Sequence, residues 1–180
     1  MDTISGTAAG LIGGLVGTTV MAKGVGAVAG KLPERIRPTM PNRDAGDFMV
    51  SNAERIAGKP LPQKAHSVAS QALHYAYGTT FPTLLGLAAP RFTRWQQPLA
   101  AGAALGAFVW AISFAGWLPA TGLTPPVHRQ GALHAAPSLL SHVLYGVVSA
   151  LPIAALVAVE GRRERGARRW IRRTAKRFGR

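Results

Sequence analysis

Residues 99–118 and 139–159 hold 20 and 21 residues without one charged side chain. A helix of about 20 residues is what it takes to cross about 30 Å of hydrocarbon. Two weaker runs stand beside these, a Gly-rich one over residues 4–22 and a His- and Tyr-bearing one over 67–89. The sequence therefore predicts an all-α fold, an integral membrane four-helix bundle. A soluble core of buried helices is the competing fold, but four such runs leave it little polar surface for water. The expected spans are about 4–22, 67–89, 99–118 and 139–159, within a domain of residues 1–160. A basic tail over 161–180 follows.

Charge is segregated accordingly. The 180 residues carry 21 Lys or Arg and 7 Asp or Glu, a formal +14, yet hydrophobic residues make up 48%. The last 20 residues hold ten basic groups and Glu164, a net +9, which leaves +5 for the other 160. With no cysteine in the chain, disulfide scaffolds, zinc–thiolate sites and covalent c-type haem are excluded. The start, MDTIS, has Asp2 and no basic region, so the first run is expected to be retained rather than cleaved.

Positive charge favours the cytoplasmic side of short loops. With four spans both termini share a side. Placing the tail inside adds Arg91 and Arg94, for 12 basic residues inside against 8 in the opposite loops. Both termini are therefore expected in the cytoplasm. The first loop, 31–65, is too long for a bare connection. A short helix is expected at about 45–57, with Asp44 as N-cap, Asp47 in its first turn, and Gly58 and Pro60 stopping it. Whether it packs on the bundle or lies on the membrane is open at this stage.

An internal repeat is visible. Ala8-Ala9-Gly10 with Gly14 matches Ala100-Ala101-Gly102 with Gly106, and His74, Tyr77 and Gly78 match His142, Tyr145 and Gly146. A proline follows each second element, at Pro82 and Pro152. The chain reads as two helical hairpins, each a small-residue helix followed by a His-Tyr helix. Parallel repeats with an even number of spans are related by an axis along the membrane normal. Gly6, Gly10, Gly14, Gly78, Gly102, Gly106 and Gly146 are the helix-packing candidates, because small residues let backbones approach in lipid. Packing within the chain is the first use for them; a homo-oligomer is the alternative.

Unpaired polar groups are costly in hydrocarbon and so face the bundle interior. Gln71, His74 and Tyr77 on the second run, and His142, Tyr145 and Ser149 on the fourth, are the candidate polar seam. Three uses compete for it. The groups can bond neighbouring helices. They can handle small solutes or protons, since imidazole titrates near neutrality. Or His74 and His142 can ligate a b-type haem within the bundle. Carboxylates are absent from the four spans, and no His-Glu-x-x-His, Walker loop, dinucleotide fingerprint or G-x-S-x-G elbow occurs. No catalytic residue is assigned, and the metal reading is left open.

The tail carries Arg162, Arg163, Arg168, Arg169, Trp170, Arg172 and Arg173 as candidate lipid-headgroup contacts. At helical spacing Ala167, Trp170, Ile171, Thr174 and Phe178 form a narrow apolar stripe, as in helices that lie on anionic leaflets. Trp170 and Phe178 are too few for a stacking platform, which sets nucleic acid aside as a partner.

The Gly-rich first helix ending in Met21-Ala22, the proline-rich loop, LHYAYGTTFPTLLG and SHVLYG together resemble the YagU-like group of small bacterial inner-membrane proteins. The resemblance covers most of residues 5–155 and leaves out the arginine tail. It implies a multispan inner-membrane protein with no established activity, and no site residue is carried over from it. The functional expectation is a non-enzymatic membrane protein with a His/Tyr seam for small solutes or protons. A haem-binding electron carrier and a membrane-anchored scaffold with a lipid-binding tail are the alternatives.

Overall fold

A computed structural model describes residues 2–29, 31–37 and 45–178, with the side chains of 25, 26, 29, 172 and 175–178 outside the description. The expected N-cap Asp44 also lies outside the described residues. Among those described the fold is all helical, with no strand. The long elements are α1 (Thr3–Ala29), α2 (Ala45–Ala57), α3 (Gln63–Leu87) and α4 (Gln96–Ile112). A π-helical turn, Ser113–Trp117, continues α4 into the short α5 (Leu118–Ala120). After α6 (Val127–Gln130) comes α7 (Ala132–Phe178).

Local chemistry sets several boundaries. Asp2 caps α1, its carboxylate accepting from the Ser5 amide at 2.8 Å and the Ser5 hydroxyl at 3.0 Å. These bonds hold the Asp2 carboxyl below its ordinary range. Gly58 ends α2 with φ of 64°, the left-handed conformation that glycine adopts without a steric penalty. Pro119 removes the N–H that would close an α-register bond to Ala115, just where the chain widens into the π turn.

Among the described residues three helices are long and apolar enough to cross a membrane: Thr3–Gly24, Gln96–Ala120 and Ala132–Ile171. Helix α3 is not among them. It has the length, with 25 residues, but Ser67, Ser70, Gln71, Thr79, Thr80 and Thr83 dilute its apolar character. The tail also differs from expectation. It is not a separate surface helix, because α7 runs 47 residues without a break, about 70 Å at 1.5 Å per residue. Gly161 and Gly166 are tolerated within it, and no proline interrupts the stretch after Pro152.

Glycine decides which helices meet. Gly6, Gly10 and Gly14 of α1 lie against Gly86, Pro82 and Thr79 of α3. Gly13 and Gly17, on the adjoining stripe, lie against Ser149 of α7. Gly102 and Gly106 of α4 lie against Gly146 and His142 of α7, and Gly78 is covered by Thr18. The candidate packing glycines thus all meet helices of their own chain. The order across the molecule is α3, α1, α7, α4, with α3 and α4 meeting mainly through long side chains such as Phe81 and Phe108.

The α1–α3 and α4–α7 contacts both use such glycines but differ in register. Gly10 faces Pro82, whereas Gly102 faces Gly146, the position matched in sequence to Gly78, four residues before Pro82. That offset is about one helical turn.

Helix α2 packs against α3, with Gly46 and Val50 buried. Its Phe48 joins Trp110 and Trp117 around a cluster of Phe114, Leu118 and Leu123. The long loop therefore folds back over the end of the molecule where the π turn lies.

Candidate functional site

The buried polar groups converge on α7. Ser138, His142, Tyr145 and Ser149 all lie on its inward face. His142 is only 6% exposed. Its Nδ1 lies 2.8 Å from the Ser138 carbonyl oxygen, so Nδ1 carries the proton and donates it. Its ring meets Phe114 of the π turn edge-on, with centroids 5.2 Å apart. With the proton on Nδ1, Nε2 is the acceptor nitrogen of the ring. The Trp110 indole donates to Ser138 Oγ at 3.2 Å, which fixes the residue that orients the imidazole.

Tyr77 projects from α3 toward the same turn. Its hydroxyl and that of Ser113 share a hydrogen bond of 2.9 Å. Its ring meets Phe81 and Trp117 edge-on. The π turn thus carries two adjacent residues with separate partners, Ser113 for Tyr77 and Phe114 for His142. A π turn offsets successive side chains from the α register, and such turns recur at functional sites.

Tyr145 is buried and donates its hydroxyl to the Gly78 carbonyl of α3. Ser149 is fully buried against Gly17, and its Oγ has no partner among the described residues. Thr18 Oγ1 is also buried without one. Two hydroxyls on α1 and α7 are therefore left for water or an ion to satisfy.

The α3 side of the expected seam is only partly assembled. Gln71 is exposed and His74 is half-buried, its ring edge-on to Tyr75. The buried stripe of α3 is instead Thr79, Pro82 and Gly86, with Ser70 further along. The cause is the rotation of α3, which turns its smallest surface toward the glycines of α1. His74 and His142 consequently keep different partners, Tyr75 for one and Phe114 with Ser138 for the other. Among the described residues no cluster of three or more His, Cys, Asp or Glu is placed to hold a metal.

The π turn and Trp110 are parts of the site that sequence reasoning missed. Pro119 is the signal that could have pointed to the widening. Thr19, whose hydroxyl lies 3.1 Å from that of Tyr75, was missed as well, since a lone threonine in a Gly-rich run carries no signal.

A second polar cluster lies outside the apolar runs. His66, at the start of α3, holds two α2 carboxylates, with Nε2 2.8 Å from Asp47 and Nδ1 2.9 Å from Glu54. Glu54 also accepts from the Leu61 amide at 3.0 Å. The bond to Glu54, and then that to Asp47, raise the His66 pKa above its ordinary value. The bond from His66 lowers that of Glu54.

On the tail, Arg162, Arg163, Arg168, Arg169 and Arg173 are exposed along α7, and Trp170 is 68% exposed. The Arg172 side chain lies outside the described residues. Compared with protein-family models, curated proteins and solved structures, the chain matches none.

Proposed function

We propose that this chain is a four-span protein of the bacterial inner membrane, non-enzymatic, that handles protons or small solutes along the seam around His142. The observation that carries this is the imidazole itself. It is buried in an apolar helix, its Nδ1 is committed to a backbone carbonyl, which makes Nε2 the acceptor, and its ring lies against Phe114 of the π turn. A group so held can accept a proton or a polar solute at Nε2 without reorganising. The hydroxyls of Tyr77 and Ser113 continue the polar path on the neighbouring side of that turn.

Membrane residence is supported by three helices of sufficient length and apolarity. For α3 as a fourth span, the support is its length and its glycine-mediated packing along α1. Two hairpins of like construction, both termini in the cytoplasm, complete the reading. The likeness of LHYAYGTTFPTLLG and SHVLYG to the YagU-like group supports the inner membrane as its place.

The test is flux in liposomes containing the purified full chain. A pH-sensitive dye reads proton entry, and osmotic swelling reads small solutes. The proposal expects flux above that of empty liposomes, strongly reduced by His142→Ala and altered by Tyr77→Phe. Equal flux in the wild type and both variants, or none in the wild type, would contradict it.

The scaffold reading is favoured by one observation, the continuation of α7 as a basic helix with Trp170 and Ile171 exposed. It expects deletion of residues 161–180 to abolish binding to vesicles rich in anionic lipid while flux is unchanged.

A further inference from the structure

We infer that the groove between the second half of α1 and the start of α7 is a binding site for one anionic phospholipid, its acyl chain in the groove and its phosphate on Arg37. The inference rests on the reading that α1 and α7 cross the bilayer.

The groove has a volume of about 300 Å³. Val20, Gly24 and Val28 of α1 line it on one side, Leu140, Leu144 and Tyr145 of α7 on the other, and Leu32 lines it too. Four of these side chains, those of Val20, Val28, Leu140 and Leu144, are large, apolar and exposed. Elsewhere α1 has backbone-close packing, with Gly13 and Gly17 against Ser149. At Gly24 the two helices have parted, and a methyl added there would meet nothing within 4 Å. Since neighbouring helices in lipid gain most from dispersion contact, an open apolar cleft between two of them gains by taking in a hydrocarbon chain.

The occupant's headgroup is identified by the charge next to Leu32. The chain turns out of α1 there and runs through Lys31 and Leu32 into a short 3-10 turn, Glu34–Ile36. Arg37 folds back so that its Nη2 donates to the Leu32 carbonyl at 3.3 Å. The guanidinium is thereby tethered to a residue that lines the groove, while the side chain remains exposed. Lys31 and Arg35, close to it in sequence, are exposed as well, and Glu34 is the one acid among the described residues 31–37. A planar, exposed guanidinium is suited to a phosphate, and a bidentate pair would fix its position. Apolar cleft and tethered cation together match a phospholipid rather than a free fatty chain or an inorganic anion.

Native mass spectrometry of the detergent-purified full chain, with phosphatidylglycerol or phosphatidylcholine added, tests the site. The expected result is one retained lipid per chain, with phosphatidylglycerol preferred. Gly24→Leu brings its Cβ in without a clash and puts an isobutyl group into the groove, and retention should fall by about tenfold or more. Arg37→Gln should lower retention of both lipids, since both carry the phosphate, and lower that of phosphatidylglycerol more, so that the preference is lost. Circular dichroism and size-exclusion profiles establish that each variant is folded. Of the seam residues Tyr145 borders the groove and His142 does not; Gly24→Leu leaves His142 in place and liposome flux at the wild-type level, so failure of this site and failure of the flux reading are separable. Wild-type protein that retains no lipid, Gly24→Leu protein that retains it fully, or Arg37→Gln protein with its preference intact would each overturn the assignment.

Discussion

Tyr145 of α7 donates its hydroxyl to the Gly78 carbonyl of α3, the carbonyl that Pro82 leaves without a helical partner. Proline has no N–H, so the acceptor four residues before it is orphaned. In a bilayer no water is at hand to satisfy it. The bond therefore repairs α3 and ties it to α7 at once. Tyr77, which precedes Gly78 as Tyr145 precedes Gly146, bonds Ser113 instead. Pro152 stands six residues after Gly146, whereas Pro82 stands four after Gly78, so the two prolines orphan carbonyls at different places relative to these glycines.

Tyr145→Phe should thus lower stability by about 1–3 kcal/mol, the cost of an unsatisfied buried acceptor. In a Pro82→Ala background the amide restored at that position can bond the Gly78 carbonyl, and Tyr145→Phe should then cost clearly less. Unfolding of the wild type, the two single variants and the double variant in detergent measures the coupling. Strict additivity would mean that Tyr145 acts by packing alone.

Gly106→Ala should destabilise by about 1–3 kcal/mol through overpacking, because the added methyl is driven onto the His142 carbonyl. Gly24→Ala meets nothing and should be neutral or slightly stabilising. Thermal unfolding of the two variants side by side decides this. Equal effects would contradict the close α4–α7 approach.

How far these contacts could be read beforehand depends on the residue. Helices α1, α4 and α7 follow from apolar runs that no charge interrupts, and His142 and Tyr145 were placed inward by their shared stripe on such a run. On α3 the same logic misplaced Gln71. There the burial of Thr79, Pro82 and Gly86 follows from where the α1 glycines find a flat surface, a tertiary fact that periodicity does not carry. The π turn was hidden for a related reason. Ser113 and Phe114 look like ordinary members of an apolar helix until a one-residue widening separates their directions. The continuity of α7 was hidden by composition, since Arg- and Ala-rich sequence is equally suited to continuing a helix or starting another.

The Tyr77–Ser113 bond should show a coupling energy of about 0.6 kcal/mol in a cycle of Tyr77→Phe and Ser113→Ala, the magnitude usual for hydrogen bonds between membrane helices. Chemical denaturation in mixed micelles reads it. No coupling would mean that the aromatic contacts of Tyr77 with Phe81 and Trp117 hold α3 to α4 without this bond.

The clamp of α2 on α3 should depend on pH. The His66 pKa is raised, so its contribution is complete below the ordinary value of 6.5 and is lost as pH rises through the raised value. The Glu54 pKa is lowered, so its contribution is present above the ordinary 4.5 and is lost as pH falls through the lowered value. Between these limits the clamp is strongest. Hydrogen exchange of the α2 amides, corrected for intrinsic rates, should show more protection at about pH 6 than at about pH 8.5, with His66→Gln removing the difference. Equal protection at both pH values in the wild type would contradict it.

The central claim is that α3 crosses the membrane with α1, α4 and α7, so that the His142 seam lies inside a bilayer. The chain has no cysteine, so single cysteines report position without background. Ser5→Cys, Lys59→Cys and Thr174→Cys, each probed with a membrane-impermeant maleimide in right-side-out vesicles, form the most direct measurement. Four spans predict that Lys59→Cys reacts in intact vesicles, whereas Ser5→Cys and Thr174→Cys react only after permeabilisation. Labelling of Ser5→Cys and Thr174→Cys from opposite sides would mean three spans, with α3 outside the bilayer, and would contradict the account.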